Sequence, residues 1–206
     1  MKTQQTVLIT GASSGIGMEL AREFAKHGHA LVLVARGVDK LEELARDLRS
    51  KSNVRAEVIG ADLTEPSAPE KIVKSLGERN LTIDVLVNNA GFGERGAFAQ
   101  IDMQRQLDMI QVNITAVAHL TRLLLPGMIQ RNAGGVLNVA STAAFQGGPN
   151  MAMYGSVAKF KTSRAESAVV NLFKSPRNRT AVLDVIVQRP SIDLCGSCAS
   201  VQSQPA

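Results

Sequence analysis

Short apolar segments alternate with amphipathic helical segments over the first 145 residues of the chain. The segments TVLIT, ALVLVAR, RAEVIGADL, IDVLVNNAG and GGVLNVAS are rich in apolar or β-branched residues, which is typical of parallel strands covered on both faces. Between two of them, Leu41, Leu44 and Leu48 recur at helical spacing. This alternation predicts right-handed βαβ crossovers and a doubly wound, three-layer α/β fold with a parallel sheet.

The later part of the chain follows this pattern less regularly. The segment from Ile114 to Ile129 predicts a long helix buried against the sheet. After Tyr154, a helix through AESAVVNLF and a strand through TAVLDVIV are expected, whereas KSPRNRT and the stretch from Arg189 to Ala206 are typical of polar loop and tail. We therefore expect the sheet to lack or alter its last strands.

Composition and charge predict one soluble domain over residues 1–206. Residues 1–154 carry 16 basic and 15 acidic side chains and residues 155–206 carry 7 and 3, so most of the net charge of +5 lies in the tail. This distribution differs from the basic stripe with aromatics that is typical of nucleic-acid binding, and no nucleic-acid partner is expected. No apolar run near the roughly 18 residues of a membrane span is visible, so no membrane partner is expected.

The start of the chain lacks a small-residue cleavage site after its apolar run, so a secretory signal is not expected. The chain has two cysteines, Cys195 and Cys198. They do not make a disulfide framework, and a reducing cytoplasm is the expected location. Their lone C-x-x-C spacing has no second ligand pair, so no metal site is expected.

Three glycines follow the first predicted strand, at Gly11, Gly15 and Gly17, and a helical pattern follows them. Glycine allows a sharp turn off the strand and a close approach of the backbone to a phosphate. The helix N-terminus then supplies N–H groups and a partial positive charge for a pyrophosphate. The alternative is a tight turn with no ligand. In this context of strand and helix, we expect a Rossmann-type dinucleotide site.

The end of the second predicted strand indicates which dinucleotide binds. An acidic residue there would accept hydrogen bonds from the ribose of NAD, but the sequence reads Ala35 and Arg36. No carboxylate repels a 2′-phosphate, and the Arg36 guanidinium is available to bind one. NADP is therefore favoured over NAD. The alternative is that Arg36 is a solvated loop charge.

Over roughly residues 5–154, the chain resembles the short-chain dehydrogenase/reductase family. The resemblance rests on six motifs in family order: TGASSGIG, Asp62-Leu63, NNAG from Asn88 to Gly91, Asn113 in IQVNITAVAHL, Ser141 in NVAST, and Tyr154. It implies an oxidoreductase that transfers a hydride between a nicotinamide cofactor and a small carbonyl or alcohol substrate. It implies cofactor contacts by Thr10, Gly11, Ser13, Ser14, Gly15, Ile16, Gly17, Asp62, Leu63, Asn88, Ala90 and Gly91.

The resemblance also assigns catalytic roles that fit the chemistry of the side chains. Reduction of a carbonyl needs a proton for the developing alkoxide, and the Tyr154 phenol can supply it. The Ser141 hydroxyl can hold the carbonyl oxygen, and Asn113 can position a water in the proton relay. Each residue has an alternative interpretation: Ser141 as a turn residue, Asn113 as a buried amide and Tyr154 as a partly buried phenol.

One expected residue is displaced. Family members carry a lysine four residues after the tyrosine, where it binds the nicotinamide ribose and favours the ionised phenol. Here that position is Ala158, and Lys159 lies about 100° further round the helix. A π-bulge would restore Lys159; otherwise it is a solvated helix charge and the site is broken. Lys161 returns to nearly the correct face, but a turn too far along, so the family role is not assigned to it.

Residues 155–206 depart from the family pattern, and we interpret them as a divergent, truncated or frameshifted tail. Pro190 lacks the glycine that follows it in the family, and 16 residues remain after it. Three functions are therefore open: an active NADP-dependent oxidoreductase, a member that binds cofactor without turnover, and a chain that folds poorly because of an exposed sheet edge. A homo-oligomer of the family type is in doubt with this tail.

Overall fold

A single parallel sheet forms the centre of the molecule. The computed structural model describes residues 4–145, 149–161 and 181–187. The strands are β1 Thr6–Thr10, β2 Ala30–Ala35, β3 Ala56–Gly60, β4 Val85–Asn88, β5 Gly135–Ser141 and β6 Ala181–Val187. Their order across the sheet is β3-β2-β1-β4-β5-β6, and every neighbouring pair is parallel. The predicted doubly wound, Rossmann-type fold is confirmed.

Helices follow the strands as the alternating pattern predicted. They are α1 Gly15–Lys26, α2 Val38–Ser52, α3 Ala68–Glu78, α4 Met103–Ile110, α5 Ala116–Gln130 and α6 Ala152–Phe160. A π-turn at Gln111–Thr115 joins α4 to α5, and 3-10 turns lie at Phe98–Gln100 and Thr142–Ala144. The helix expected from Ile114 therefore begins as a π-turn, and only from Ala116 is it an α-helix.

Two apolar layers cover the sheet, one on each face. Successive side chains of a strand point to opposite faces. Val7 and Ile9 of β1 accordingly pack in the layer that contains α1 and α2, whereas Leu8 packs in the layer that contains α3 and α5. All three side chains are fully buried. This explains why the strands are apolar at consecutive positions rather than at alternate ones.

The strand expected through TAVLDVIV is confirmed as β6, which pairs with β5 from Gly135↔Ala181 to Ser141↔Val187. The helix expected through AESAVVNLF and the polar stretch after Val187 lie outside the described residues. The organisation of residues 1–206 as a single domain, and a divergent or frameshifted origin of residues 155–206, stay predictions.

One correction concerns the apolar runs. The helical stretch Met103–Gln130 is 28 residues long, with a mean hydropathy of 1.3 in its most apolar window, and so meets the length and composition test for a membrane span. In the fold it is interrupted by the π-turn and packs against α3 and the sheet through Ala116, Leu120 and Met128. Its packing explains its apolar character, because a helix beneath a sheet must be apolar on the face that it buries.

The central position of β4 makes its side chains sensitive to truncation. We expect Leu86→Ala, at a fully buried position, to lower the free energy of unfolding by about 3 kcal/mol, because it removes buried methyl groups and leaves a cavity. Urea denaturation checks this. Leu107→Ala is the matched control, since Leu107 is 49% exposed and its truncation should cost less than about 0.5 kcal/mol. An equal loss of unfolding free energy in the two variants would contradict the burial of Leu86 in the core.

Candidate active site

The candidate residues gather at the carboxyl edge of the sheet. Gly11 follows β1, Arg36 follows β2, Asn88 ends β4 and Ser141 ends β5. In open α/β sheets, ligands bind outside the carboxyl ends of the strands, where the strand order reverses. Here the order reverses between β1 and β4, since the chain moves outward from β1 to β3 and then returns to β4 on the other side.

The glycine turn after β1 has little room for side chains. Gly11 has φ +67°, and a β-carbon there would lie 2.9 Å from Ala90 Cα. A β-carbon on Gly17 would overlap Asn89 Nδ2 and the Gly11 carbonyl oxygen. Gly15 has φ +55° and nothing within 4 Å of its β-carbon position, so it faces open space. The turn therefore needs two glycines for close packing and one for backbone conformation.

Hydrogen bonds from Thr10 and Asn89 join this turn to the end of β4. The buried Thr10 Oγ1 donates to Val87 O at 3.3 Å and accepts from the N–H groups of Asn89 and Ala90 at 3.1 and 3.0 Å. In return, Asn89 Nδ2 donates to the carbonyl oxygens of Thr10 and Gly11 at 2.9 and 3.2 Å. We call these contacts the Thr10–Asn89 network. The sequence predicted no role for Asn89, although it lies within NNAG.

The first turn of α1 has the features of an anion site. Ser14 is the N-cap residue, in an extended conformation, and its side chain makes no cap hydrogen bond. The first turn of α1 also contains no acidic residue. N–H groups at a helix start need acceptors, and an anion satisfies them together with the helix dipole. Ser13 and Ile16 flank this position, with Ile16 packed against the apolar layer. These residues fit the pyrophosphate of a dinucleotide.

Arg36 and Asp62 lie together beyond β2 and β3. Arg36 is 71% exposed, and its Nη1 lies 3.9 Å from Asp62 Oδ2. A charge-assisted hydrogen bond spans ~2.7–2.9 Å, so this pair leaves the guanidinium free to turn toward another anion. Asp62 Oδ1 accepts hydrogen bonds from the N–H and hydroxyl of Thr64, which fixes the carboxylate.

The side chains of Asn88 and Leu63 point into the protein. Asn88 is 1% exposed and its Nδ2 donates to Asn138 Oδ1 on β5 at 2.9 Å and to Thr121 Oγ1 on α5 at 3.2 Å. Leu63 is buried in the apolar layer beneath α3 and α5. Both side chains stabilise the fold, so a cofactor contact from either residue would come from its main chain. Their cofactor contacts stay predictions.

Asn113 lies in the π-turn and faces the loop after β4. Its Nδ2 donates to Phe92 O at 2.8 Å, and its Oδ1 occupies the space that a β-carbon on Gly91 would need. The side chain is 4% exposed. A π-turn inserts one extra residue into a helix and is frequent at functional sites. Here it rotates a buried amide of the long helix toward the carboxyl edge of the sheet.

Tyr154 and Ser141 lie on neighbouring elements. The Tyr154 ring packs on the backbone of Gly93, since a β-carbon there would lie 2.7–2.9 Å from three ring atoms. Ser141 Oγ accepts a hydrogen bond from Ala143 N at 3.2 Å. The next residue on α6, Gly155, approaches Ala143 O, which lies 3.3 Å from its β-carbon position. The turn after β5 thus packs directly on the helix that carries Tyr154.

The π-bulge hypothesis for Lys159 is wrong. Residues Ala152–Phe160 form an α-helix, so nothing compensates for the extra residue, and Lys159 is exposed. Instead, Lys161 is buried, with 4% exposure, and its Nζ donates to Ala90 O at 2.8 Å. Lys161 was not expected to take the family role because it lies a turn too far along the helix. The signal that could have identified it is its spacing of seven residues from Tyr154, which returns to the same helix face.

Comparison with known proteins identifies the family. The short chain dehydrogenase family model matches residues 5–188. This match covers most of the chain. The chain belongs to the short chain dehydrogenase family. The match continues beyond Tyr154, where the motif-based resemblance ended, and includes β6.

Individual relatives match about three quarters of the chain. A putative ketoacyl reductase of Streptomyces coelicolor is 37% identical over 158 residues, which cover 75% of this chain and 60% of that protein. A short-chain dehydrogenase from Sphingobium yanoikuyae in complex with NADPH is 40% identical, with TM-score 0.71, over 76% of this chain and 60% of that one. The bulky-bulky ketone specific alcohol dehydrogenase from Comamonas testosteroni is 37% identical, with TM-score 0.72, over 77% of this chain and 64% of that one. The chain therefore spans about 60% of the length of these proteins.

Within the described residues of this short-chain dehydrogenase, no group of three or more His, Cys, Asp or Glu side chains is arranged to hold a metal ion. Cys195 and Cys198 lie outside the described residues. Among the described residues, burial lowers the pKa of Lys161 from 10.5 to about 8.

This shift predicts a pH dependence of stability. Between about pH 8 and 10.5 the unfolded chain binds more protons at Lys161 than the folded chain does, so stability rises with pH across this window. The expected rise is up to about 3 kcal/mol relative to Lys161→Met, which removes the titrating group. Urea denaturation across the window measures it. Lys159→Met serves as the control, and its stability should rise with pH as steeply as that of wild type. Parallel curves for wild type and Lys161→Met would show that Lys161 is not buried as described.

Proposed function

We propose that this chain binds NADP(H) and transfers a hydride between this cofactor and a small carbonyl or alcohol substrate. The observation that supports it most is the placement of Ser141, Tyr154 and Asn113 around the loop that follows β4, beside the glycine turn. Ser141 ends β5, Tyr154 packs on Gly93, and Asn113 contacts Phe92. A proton donor and a fixed amide thus contact one short segment, and a hydroxyl lies at the end of β5 on the same carboxyl edge of the sheet.

Each of these side chains has a role in the proposed reduction. When bound, the reduced nicotinamide supplies a hydride to the carbonyl carbon. The Tyr154 hydroxyl donates its proton to the carbonyl oxygen, and the Ser141 hydroxyl donates a hydrogen bond to the same oxygen. Asn113, held by Phe92 O, positions a water through which Tyr154 regains a proton. The reverse sequence oxidises an alcohol.

The ketone class of the substrate is supported by the relatives. The Streptomyces coelicolor protein is described as a putative ketoacyl reductase and the Comamonas testosteroni enzyme as specific for bulky-bulky ketones. The cytoplasmic location, the absence of nucleic-acid and membrane partners, and the oligomeric state stay predictions.

Tyr154→Phe tests the assignment of the proton donor, because it removes one hydroxyl and keeps the ring on Gly93. With a panel of ketones and β-ketoacyl thioesters, kcat should fall by about 10²–10⁴-fold while the Kd for NADPH changes little. Ser156→Ala is the matched control, since it deletes an exposed hydroxyl from the same helix and should leave kcat unchanged.

The same assay separates the proposed enzyme from a protein that binds cofactor without turnover. The displaced lysine makes this second function a specific alternative, because Ala158 occupies the family position. NADPH binding by the wild-type chain with no turnover of any panel substrate would support it. Wild-type turnover that Tyr154→Phe does not reduce would refute the role of Tyr154.

The preference for NADP over NAD depends on Arg36. Its exposed guanidinium is only loosely paired with Asp62, and it follows Ala35 rather than an acid. We expect Arg36→Gln to weaken NADPH binding by about tenfold and NADH binding by less than about twofold, because only NADPH carries the 2′-phosphate. Calorimetric titration measures both. Arg22→Gln, on the exposed face of α1, is the control. An equal loss of affinity for NADPH and NADH would show that Arg36 does not bind the 2′-phosphate.

A further inference from the structure

Lys161 is a buried ammonium group that the proposed reaction does not yet use. It lies just beyond the last residue of α6, and its side chain is 4% exposed. Its Nζ donates to Ala90 O at 2.8 Å and lies 3.2 Å from the β-carbon position of Gly91. The same position on Gly91 is overlapped by Asn113 Oδ1. Lys161 therefore reaches the centre of the candidate site.

Helix geometry explains how a residue two turns from Tyr154 reaches this centre. Seven residues turn an α-helix by about 700°, which is within about 20° of two full turns, so Lys161 and Tyr154 share one face. Compared with a residue four positions after Tyr154, Lys161 lies about 4.5 Å further along the axis. Helical side chains tilt toward the N-terminus of the helix, so an extended lysine side chain can reach back over this distance toward Tyr154.

The described surroundings satisfy the ammonium only in part. Among residues 4–145, 149–161 and 181–187, its one hydrogen-bond partner is Ala90 O, and no carboxylate pairs with it. An ammonium group has three N–H donors. Burying a charge with a single neutral partner is costly, which is why burial lowers the pKa of Lys161 to about 8. A chain that keeps such a group at its site gains from a ligand that accepts the remaining hydrogen bonds.

We propose that Lys161 is the cofactor-binding lysine of this chain, whose ammonium donates hydrogen bonds to the hydroxyls of the nicotinamide ribose. This inference rests on the proposed function, since it assumes that NADP(H) occupies the carboxyl edge of the sheet. It replaces the interpretation of a broken site by one in which the lysine has moved three positions along the same helix face. Lys159, exposed on another face, takes no part.

A purely structural role is the competing explanation. In this explanation, the hydrogen bond from Lys161 to Ala90 O holds the loop at Ala90 and Gly91, and Lys161 makes no contact with the cofactor. The two explanations differ in which part of the cofactor they affect. Loss of this loop contact would weaken the binding of every ligand of the site. Loss of a hydrogen bond to the nicotinamide ribose would weaken the binding only of ligands that contain that ribose.

The experiment compares two ligands on the full chain. NADPH contains the nicotinamide ribose, and 2′-phospho-ADP keeps the adenosine, pyrophosphate and 2′-phosphate but lacks it. Calorimetric titration of both ligands is done on wild type, Lys161→Met, Lys161→Arg and the control Lys159→Met. We expect Lys161→Met to weaken NADPH binding about tenfold and 2′-phospho-ADP binding less than about twofold. Lys161→Arg should restore part of the NADPH affinity, and Lys159→Met should match wild type.

Protonation provides a second measurement that needs no truncation. As pH rises through about 8, Lys161 loses its charge, so wild-type affinity for NADPH should fall relative to that for 2′-phospho-ADP. The guanidinium introduced by Lys161→Arg stays charged, so that variant should show no such fall. Among the described residues, the other ionisable side chains on or near α6 are Arg105 and Asp108 of α4, Glu94 and Arg95 of the loop after β4, and Tyr154 and Lys159 of α6 itself.

The outcomes separate this inference from the proposed function. If wild type binds neither ligand, the proposed function fails. If wild type binds both but Lys161→Met leaves NADPH affinity unchanged, or weakens both ligands equally, only the role of Lys161 is overturned. If Lys161→Met does not fold, the pH dependence of the two affinities in wild type and Lys161→Arg decides: a ratio that stays constant through pH 8 in both proteins overturns the inference.

Discussion

The close approach of two backbone turns, after β1 and after β4, is the constraint on which the candidate site depends. The Thr10 hydroxyl accepts from the N–H groups of Asn89 and Ala90, and the Asn89 amide donates back to the carbonyls of Thr10 and Gly11. These bonds fix the glycine turn at the point where the strand order reverses. They leave no room for a side chain at Gly17 and bring the loop that contacts Asn113, Tyr154 and Lys161 to the same edge.

The fold could be predicted from the sequence because its signals are local. Strands buried on both faces must be apolar at consecutive positions, and helices beneath them repeat at 3.6 residues, so the order of elements follows from hydrophobic pattern alone. The glycine turn could also be predicted from the sequence, because the positive φ at Gly11 and Gly15 is a conformation that few residues other than glycine adopt. The helix expected over Ile114–Ile129 is close to the observed α5, and α4 and the π-turn before it extend the helical stretch to Met103–Gln130.

The details that the sequence did not predict depend on long-range contacts. In NNAG, the adjacent amides Asn88 and Asn89 look equivalent, but strand pairing turns Asn88 toward Asn138 and Asn89 toward the glycine turn. A π-bulge near Tyr154 was one of two alternatives, but Ala152–Phe160 is an α-helix, and the π-turn lies at Gln111–Thr115. Lys161 lies a turn further along α6 than the family position, and its contact with Ala90 O depends on the reach and tilt of a lysine side chain. These contacts depend on the partners of each residue in the fold and not on its spacing in the sequence.

The central claim is that this chain keeps a working dinucleotide site although its lysine has moved. Thermal unfolding of the purified chain with and without NADPH tests this most directly. A ligand that binds only the folded state adds about 2.7 kcal/mol of stability at 100 times its Kd. The account predicts one cooperative transition whose midpoint rises steadily with NADPH concentration. A broad transition, or a cooperative one with a midpoint indifferent to NADPH, would contradict it.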